Sequence, residues 1–419
     1  MRGTWFAIVL TGLACALLAA PGPAAAISRS RLSHGLSKQI DRVGGASGAW
    51  VTDMDAPRRQ TLFSSASHRR RILASNTKLF TMAAVLDRFG PSATLKTRLY
   101  ARPGNAVEGH TLRGSLVVVG AGDPALARAG FARDNGLPLT PLGNLATDVR
   151  KAGIKRVTGR IRADDSIFNR RRGVPTTGVD ASGELAPLSG LSFDSGIAHG
   201  HYAKNPELVA ARALRHKLQA VGVYVKGGTG RADLPRRVLA KPPLGSVSSP
   251  RIQSLTAATL KPSNNFFAEM LLKRLAASRR GSKGTTRRGS RKVRKFAHKL
   301  GTSIAMENGS GLSRSNRASP RQVGRLLVAM SRRSGGATYR RSLPLAGEEG
   351  TVAHRMNGTA ADGRCRTKTG TLVGVSALSG YCRAGHGVVA FSILMNSVDI
   401  DLARAAQDKM AALIARYRR

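Results

Sequence analysis

The sequence predicts an α/β protein in which a β-rich segment separates two stretches that mix helices with strands. Apolar residues recur at helical spacing after Ser75 and again after Ser263. From position 364 onward, apolar and polar residues alternate as they do in paired strands. Residues 93–245 instead contain short apolar runs between Gly, Pro and Asp turns, which indicates a separate folding unit.

The individual elements follow from the same patterns. In residues 27–92, a hairpin is predicted over Gly48–Ala66, and the helix after it ends at Gly90-Pro91. In the middle segment the pattern predicts strands at Leu116–Val119, Arg160–Arg162 and Val223–Val225, and a helix at Pro206–Val221. In residues 246–419 it predicts helices at Phe266–Leu275 and Asp401–Tyr417, and strands at Arg364–Leu372, Val375–Arg383 and Gly387–Asn396.

Residues 1–26 have the pattern of a cleaved export signal. Arg2 precedes an apolar run from Trp5 to Ala20, and a Pro-Gly-Pro turn and three alanines follow as a small-residue cleavage site. A membrane anchor is the alternative, although the apolar run is short for a span. We therefore expect an exported, extracytoplasmic protein of the periplasm or cell wall.

The composition is strongly basic, with 68 Lys and Arg against 23 Asp and Glu and a formal net charge of +45. Such a charge attracts polyanions. Nucleic acid is not expected, because aromatic residues make up only 5% of the chain and no nucleic-acid motif occurs. Anionic wall polymers or lipid headgroups suit an exported protein better, and a merely solvated basic surface is the alternative. The densest tract is Ser278–Lys299, whose second half fits a basic helix.

No metal or cofactor is expected from the sequence. The only close pair of histidines is His199 and His201, and no further ligand stands at the spacing of a metal site.

Three short motifs each occur once, and each has a suitable structural context. Ser75-Asn76-Thr77-Lys78 opens a predicted helix, Ser263-Asn264-Asn265 precedes one, and Lys368-Thr369-Gly370 lies on a predicted strand. Singly, each is a weak signal. In this order they are the S-x-x-K, S-x-N and K-T-G motifs of serine enzymes that react with penicillin.

The chemistry of the first motif depends on helical spacing. Residues three apart share one face of a helix, so Lys78 can bring its amine beside the hydroxyl of Ser75 and act as its base. Burial and a second cation would lower the pKa of Lys78, and Lys368 is the candidate for that cation.

The other two motifs supply the remaining roles. Ser263 can relay the proton to the leaving amine, and Asn265 can hydrogen-bond the substrate amide. Lys368, with Thr369 and Gly370 beside it, suits a terminal carboxylate. The backbone N–H groups of Ser75 and Thr371 would form the oxyanion hole.

At this point the sequence resembles the D-alanyl-D-alanine carboxypeptidases/endopeptidases of the penicillin-binding protein 4 type, over nearly all of the chain after residue 26. Beyond the three motifs, the resemblance rests on five blocks of residues. They are Ala74–Thr81, Gly120–Pro124 (G-x-G-D-P), Lys261–Glu269 (K-x-S-x-N-x-x-A-E), Gly309–Arg314 (G-S-G-L-S-R) and Gly347–Tyr381.

The resemblance implies a fold and a function. The fold would be a β-lactamase/transpeptidase-like core, an antiparallel sheet flanked by helices, formed by residues 27–92 and 246–419 with 93–245 inserted. The function would be that of a serine D-Ala-D-Ala peptidase acting on peptidoglycan stem peptides and inhibited by β-lactams. Two features depart from the family: the insertion is shorter than in its larger members, and Asn264 stands where Asp is usual.

Cys365 and Cys382 are the two cysteines that remain after the export signal. If Val373-Gly374 is a two-residue turn, the cysteines face each other across the hairpin that carries the K-T-G motif. A disulfide that braces this hairpin is one hypothesis, and two unpaired core cysteines are the other, because bridge geometry is demanding.

Two other functions stay open from the sequence. A β-lactamase would need a dedicated deacylating group, and no convincing E-x-x-x-N element occurs. A wall-binding homologue that has lost catalysis would lack reactive residues, and here all of them are present.

Overall fold

The computed structural model describes residues 25–56, 60–102, 104–177, 182–278, 281–385 and 387–419. The predicted export signal lies almost entirely outside these ranges and stays a prediction. Among the helices in the described ranges, none is long and apolar enough to cross a membrane.

The described residues form the following strands and α-helices, numbered along the chain. The strands are β1 Ala46–Asp53, β2 Gln60–Ser65, β3 Arg71–Ile72, β4 Lys96–Ala101, β5 Ala106–Glu108, β6 Thr111–Arg113, β7 Leu116–Val119, β8 Leu126–Ala127, β9 Thr140–Pro141, β10 Arg156–Val157, β11 Ile161–Asp164, β12 Ile197–Ala198, β13 His201–Tyr202, β14 Tyr224–Val225, β15 Thr229–Arg231, β16 Gly245–Ser248, β17 Arg317–Ala318, β18 Cys365–Leu372, β19 Val375–Ala384 and β20 Gly387–Asn396. The helices are α1 Arg29–Val43, α2 Thr77–Phe89, α3 Ala129–Asp134, α4 Gly143–Lys151, α5 Pro206–Ala220, α6 Arg236–Leu239, α7 Ile252–Leu260, α8 Asn265–Ala276, α9 Thr286–Lys299, α10 Pro320–Ser331, α11 Gly336–Arg341 and α12 Ile400–Arg416.

The central sheet has five antiparallel strands in the order β18-β19-β20-β1-β2, so it joins the two ends of the chain. Alternation along the strands sends successive side chains to opposite faces. Val51 and Phe391 face α1 and α12, whereas Trp50 and Leu394 face the other helical layer. In that second layer α10 packs on the sheet, and α7, α8 and α9 pack around α2.

The middle segment from β4 to β16, which we call the insertion, contains an apolar cluster beneath two small sheets, β14-β10-β6-β5 and β15-β11-β7-β4-β16. The strands predicted at 116–119 and near 160 and 223 are present, although Arg160 and Val223 lie just outside them. The helix predicted at Pro206–Val221 is confirmed as α5. The sequence did not reveal two features: β11 pairs in parallel with β7 and β15, and three further helices, α3, α4 and α6, accompany the strands.

The hairpin of β18 and β19 turns at Val373-Gly374, as predicted, and its register pairs Cys365 with Cys382. A disulfide joins the two cysteines, and both are fully buried. The bond lies near the far end of the hairpin from the turn and fixes the strand that carries Lys368.

Candidate active site

Ser75 lies in a short 3₁₀ turn, Ala74–Asn76, immediately before α2. Ala74 has φ of +46°, an uncommon value for a residue with a side chain. The turn packs tightly against the glycine-rich segment at Gly311, where an added Cβ would lie 1.9 Å from the carbonyl oxygen of Ala74. The backbone conformation of Ala74 and the close packing of Gly311 together hold Ser75 at the N-terminal end of α2.

The amine of Lys78 lies within hydrogen-bond distance of three oxygens. Its Nζ is 2.9 Å from Ser75 Oγ, 2.7 Å from Asn265 Oδ1 and 2.7 Å from the carbonyl oxygen of Ser310. The amide and carbonyl oxygens can only accept, so they take two hydrogens of the amine. A neutral amine then has its lone pair left for the hydroxyl hydrogen of Ser75.

Burial lowers the pKa of Lys78 to about 7, while the nearby carboxylate of Glu269 opposes the shift. Burial is the main cause that lowers the pKa of Lys368 well below its usual range, and repulsion from Lys78 lowers it further. The repulsion expected between the two lysines therefore acts on Lys368. Both side chains are fully buried. Desolvation is therefore the main reason that Lys78 can lose its proton near neutral pH.

The second and third motifs meet at the same place. Lys368 Nζ lies 2.9 Å from Ser263 Oγ and donates to the carbonyl oxygen of Thr369 at 2.9 Å. Ser263 has φ of +62°, a second uncommon backbone conformation in this site. Asn265 donates from Nδ2 to the carbonyl oxygen of Glu184 in the insertion at 3.0 Å. Among the described residues no acceptor pairs with its second amide hydrogen, which can therefore bond a ligand.

Strand β18 runs alongside the nucleophile turn. A Cβ on Gly370 would lie 2.7 Å from the carbonyl oxygen of Leu73 and 3.1 Å from the backbone nitrogen of Ser75, so only glycine permits this approach. Asn76 ties the two segments together by donating from Nδ2 to the carbonyl oxygen of Lys368 at 3.0 Å.

The two threonines beside Gly370 differ in their surroundings. Thr369 bonds to Thr351 through the two hydroxyls at 2.7 Å, whereas Thr371 is exposed. The structure thus brings the three motifs together at Ser75, through contacts of Lys78 with Ser75 and Asn265, of Lys368 with Ser263, and of Asn76 with the Lys368 carbonyl.

Asn264 has a structural role. It is the N-cap of α8, and its Oδ1 accepts from the backbone N–H of Phe267 at 3.0 Å. An aspartate caps a helix equally well, so the departure at this position leaves the local structure intact.

Glu269 is a site residue that the three motifs did not reveal. It is fully buried on α8, one turn after Asn265, and its Oε1 accepts from the backbone N–H groups of Gly309 at 2.8 Å and Ser310 at 2.6 Å. It thereby fixes the turn whose Ser310 carbonyl receives Lys78. Burial raises the pKa of Glu269, and these hydrogen bonds oppose the shift. Two sequence signals were available: Glu269 ends the K-x-S-x-N-x-x-A-E block, and it stands four residues after Asn265 on a predicted helix.

Lys273 is a second buried lysine, again one turn further along α8. Burial first, then repulsion from Arg172, lowers its pKa to about 7. Its Nζ donates to the carbonyl oxygens of Arg171 at 2.9 Å and Asn169 at 3.3 Å. Lys273 therefore ties residues 169–171 to α8, and both of these acceptors lie outside the three motifs.

Comparison with known proteins agrees with this arrangement. The profile of the D-Ala-D-Ala carboxypeptidase 3 (S13) family matches residues 31–204 and 199–417. The chain is 29% identical over 490 aligned residues to the D-alanyl-D-alanine carboxypeptidase of Actinomadura sp. (strain R39), covering 96% of this chain and 88% of the relative. It is 26% identical over 375 residues to a carboxypeptidase of Mycobacterium tuberculosis, covering 85% and 78% of the two chains.

Solved structures show the same fold. The crystal structure of penicillin binding protein 4 from Haemophilus influenzae superposes with a TM-score of 0.70 at 19% identity, over 90% of this chain and 97% of that one. A predatory peptidoglycan endopeptidase from Bdellovibrio bacteriovorus superposes with a TM-score of 0.55 at 17% identity, over 88% and 91%. The resemblance and the transpeptidase-like fold inferred from the sequence are confirmed. The chain belongs to the D-Ala-D-Ala carboxypeptidase 3 (S13) family and is a serine-type carboxypeptidase.

Proposed function

We propose that the chain cleaves the terminal D-Ala from peptidoglycan stem peptides through an acyl-enzyme on Ser75. The observation that carries this proposal is the environment of Lys78, whose amine is buried, has a pKa of about 7 and lies 2.9 Å from Ser75 Oγ. A base of that pKa is partly neutral at physiological pH and suits proton transfer from a hydroxyl.

The proposed reaction has two steps. Lys78 takes the proton of Ser75 as Oγ attacks the carbonyl carbon of the penultimate D-Ala, and the backbone N–H groups of Ser75 and Thr371 stabilise the oxyanion. Ser263 relays a proton to the nitrogen of the leaving D-Ala. Water then hydrolyses the ester and restores Ser75.

The remaining motif residues bind the substrate in this proposal. Lys368 and Thr369 hold the terminal carboxylate, Asn265 uses its free amide hydrogen for the peptide, and Gly370 lets the strand approach the nucleophile.

Several finer features belong to the same proposal. β-Lactams would acylate Ser75, in line with a complex of the Haemophilus influenzae protein with a β-lactam. Cross-links would be cleaved by the same chemistry, as the name of the Bdellovibrio bacteriovorus endopeptidase suggests.

We further propose three features of the chain outside the active site. Residues 1–26 direct export, and residues 93–245 form a domain inserted into a core of 27–92 and 246–419. The basic surface contacts anionic wall polymers or lipid headgroups.

The pH dependence of acylation follows from the pKa of Lys78. The neutral amine is the active form, so the acylation rate should rise with pH through about 7 and level off above it. Below that value the rate should fall about tenfold per pH unit. The measurement is the second-order rate of labelling by a fluorescent penicillin between about pH 5 and 9, with circular dichroism at each pH to show that the chain is folded. A profile that is flat between pH 5 and 7 would contradict the role of Lys78.

The proposed function is tested on the whole chain with two substrates. After exposure to benzylpenicillin and digestion, mass spectrometry should place one adduct on Ser75. A soluble peptide ending in D-Ala-D-Ala should release D-Ala. Rapid turnover of nitrocefin without D-Ala release would favour a β-lactamase, and a folded chain with neither adduct nor release would favour a wall-binding protein without catalysis.

A further inference from the structure

One face of α9 is exposed, and its side chains are cationic except for His298. The buried side of the helix packs against α8 and α2 through Val293, Phe296 and Ala297. The opposite side consists of the cations that we call the α9 basic face. They are Arg287, Arg288, Arg291, Lys292, Arg294, Lys295 and Lys299.

The α9 basic face has no internal compensation. Within the described ranges, no acidic side chain lies within 4.0 Å of any of its seven members. Arg287 and Arg291, and likewise Arg291 and Lys295, are like charges four residues apart, a spacing that destabilises a helix. Arginines in the first turn also oppose the helix dipole. Helix stability therefore does not explain this pattern, whereas an anionic ligand does.

A recess of about 690 Å³ adjoins the first half of α9. Its opposite wall is the 169–175 segment of the insertion, so core and insertion both contribute. Four arginines line it against a single glutamate: Arg171, Arg287, Arg288 and Arg294, with Glu307. Two of the guanidinium groups are held in place by backbone carbonyls, since Arg294 donates to Met306 and Arg288 to Lys283. Planar guanidinium groups fixed in this way suit phosphate oxygens.

The recess adjoins the segment that leads to Ser310. Its wall at Met306 and Glu307 continues into residues 308–310, and the Ser310 carbonyl accepts from Lys78. A polymer bound here would therefore lie a few residues along the chain from the contact between Ser310 and Lys78.

We infer that the α9 basic face and the recess bind a phosphodiester polymer of the cell wall, and thereby hold the enzyme beside its peptide substrate. This inference rests on the proposed function, because it places the chain at the wall. A flat lipid surface fits less well: the ligand site is concave, and the apolar residues of α9 are buried, so none is available to enter a bilayer. A nucleic acid fits less well because aromatic residues for base stacking are absent from the lining of the recess.

The test uses inorganic polyphosphate as the probe for a chain of phosphates. The variant Arg287→Gln/Arg291→Gln/Lys295→Gln removes one stripe of the face, and no hydrogen bond of these three side chains would be lost within the described structure. The matched control, Arg31→Gln/Lys38→Gln/Arg42→Gln, removes the same charge from exposed positions of α1. A single variant, Arg171→Gln, tests the wall supplied by the insertion.

Binding is measured as a function of salt concentration. Each phosphate contact contributes about 0.7 to 0.9 to the slope of log K against log salt. The α9 variant should therefore lower that slope by about two and weaken binding at least about tenfold, Arg171→Gln should lower it by less than one, and the α1 control should lose much less than the α9 variant. Equal losses in the α9 and α1 variants would overturn the inference, as would preferential binding of wild-type protein to phosphatidylglycerol vesicles.

D-Ala release from a soluble peptide separates this inference from the proposed function. All three variants should retain it within about twofold, because none touches the motif residues. Loss of polyphosphate binding with intact D-Ala release supports the inference. Absence of release in the wild-type protein would refute the proposed function, whatever the polyphosphate result.

Discussion

Lys78→Met should reduce acylation of Ser75 by about 10²–10⁴-fold, the range that a positioned general base contributes. Met retains much of the length and apolar character of the lysine stem, so the buried space stays filled. It removes the nitrogen that lies 2.9 Å from Ser75 Oγ and leaves the hydroxyl without an acceptor for its proton. The rate of labelling by fluorescent penicillin and the release of D-Ala from a soluble peptide both measure the loss.

Lys273→Met is the matched control for this variant. Lys273 is also fully buried and its pKa is also lowered to about 7, yet its Nζ donates to backbone carbonyls of Asn169 and Arg171 instead of lying at Ser75. The control should cost stability, seen as a lower Tm, and retain most of the acylation rate. If both variants lost acylation equally while folded, removal of any buried charge would explain the effect, and Lys78 would not be the base.

The motif residues could be predicted from the sequence because their spacing carries the information. Three residues on a helix place Lys78 beside Ser75, and a two-residue turn at Val373-Gly374 sets the pairing of Cys365 with Cys382. Both are local rules of backbone geometry. Their outcome does not depend on how distant parts of the chain pack.

The partners of Lys78 could not be predicted, since they come from distant segments. The Ser310 carbonyl is 232 residues away in sequence, and the Glu184 carbonyl that holds Asn265 belongs to the insertion. Backbone carbonyls carry no residue-specific signature, so no motif marks them. The parallel pairs of the insertion were hidden for the same reason. The sequence pattern predicts β7 and most of β11 as strands, but which strands pair, and in which direction, depends on packing between distant segments.

The origin of the lowered pKa of Lys78 also had to come from packing. The sequence suggested that Lys368, as a second cation, would lower the pKa of Lys78, but burial is the cause that lowers it and the nearby Glu269 opposes the shift. The face of α2 that carries Lys78 is buried by α8 and by the 308–311 turn. Those segments contact Lys78 only in the folded chain.

Gly370→Ala should lower the acylation rate by about 10²-fold or more, although it adds only one methyl group. The new Cβ would lie 2.7 Å from the carbonyl oxygen of Leu73 and 3.1 Å from the backbone nitrogens of Ser75 and Asn76. These are backbone atoms that cannot rotate away, so β18 and the nucleophile turn must separate. Removal of a single oxyanion donor typically costs about 10²–10³-fold, and a displaced strand moves the N–H of Thr371 relative to that of Ser75.

Gly228→Ala is the control, because a Cβ there meets nothing within 4 Å. It should leave both Tm and acylation unchanged. The two variants together separate a local effect on the oxyanion hole from a general effect of removing a glycine.

Gly370→Ala should also lower Tm modestly, because the hydrogen bond from Asn76 to the carbonyl oxygen of Lys368 joins the nucleophile turn to β18, the two segments that the methyl group pushes apart. A folded Gly370→Ala protein that acylates at the wild-type rate would show that the oxyanion is stabilised elsewhere, because this contact leaves no room for the methyl group with both N–H groups in place.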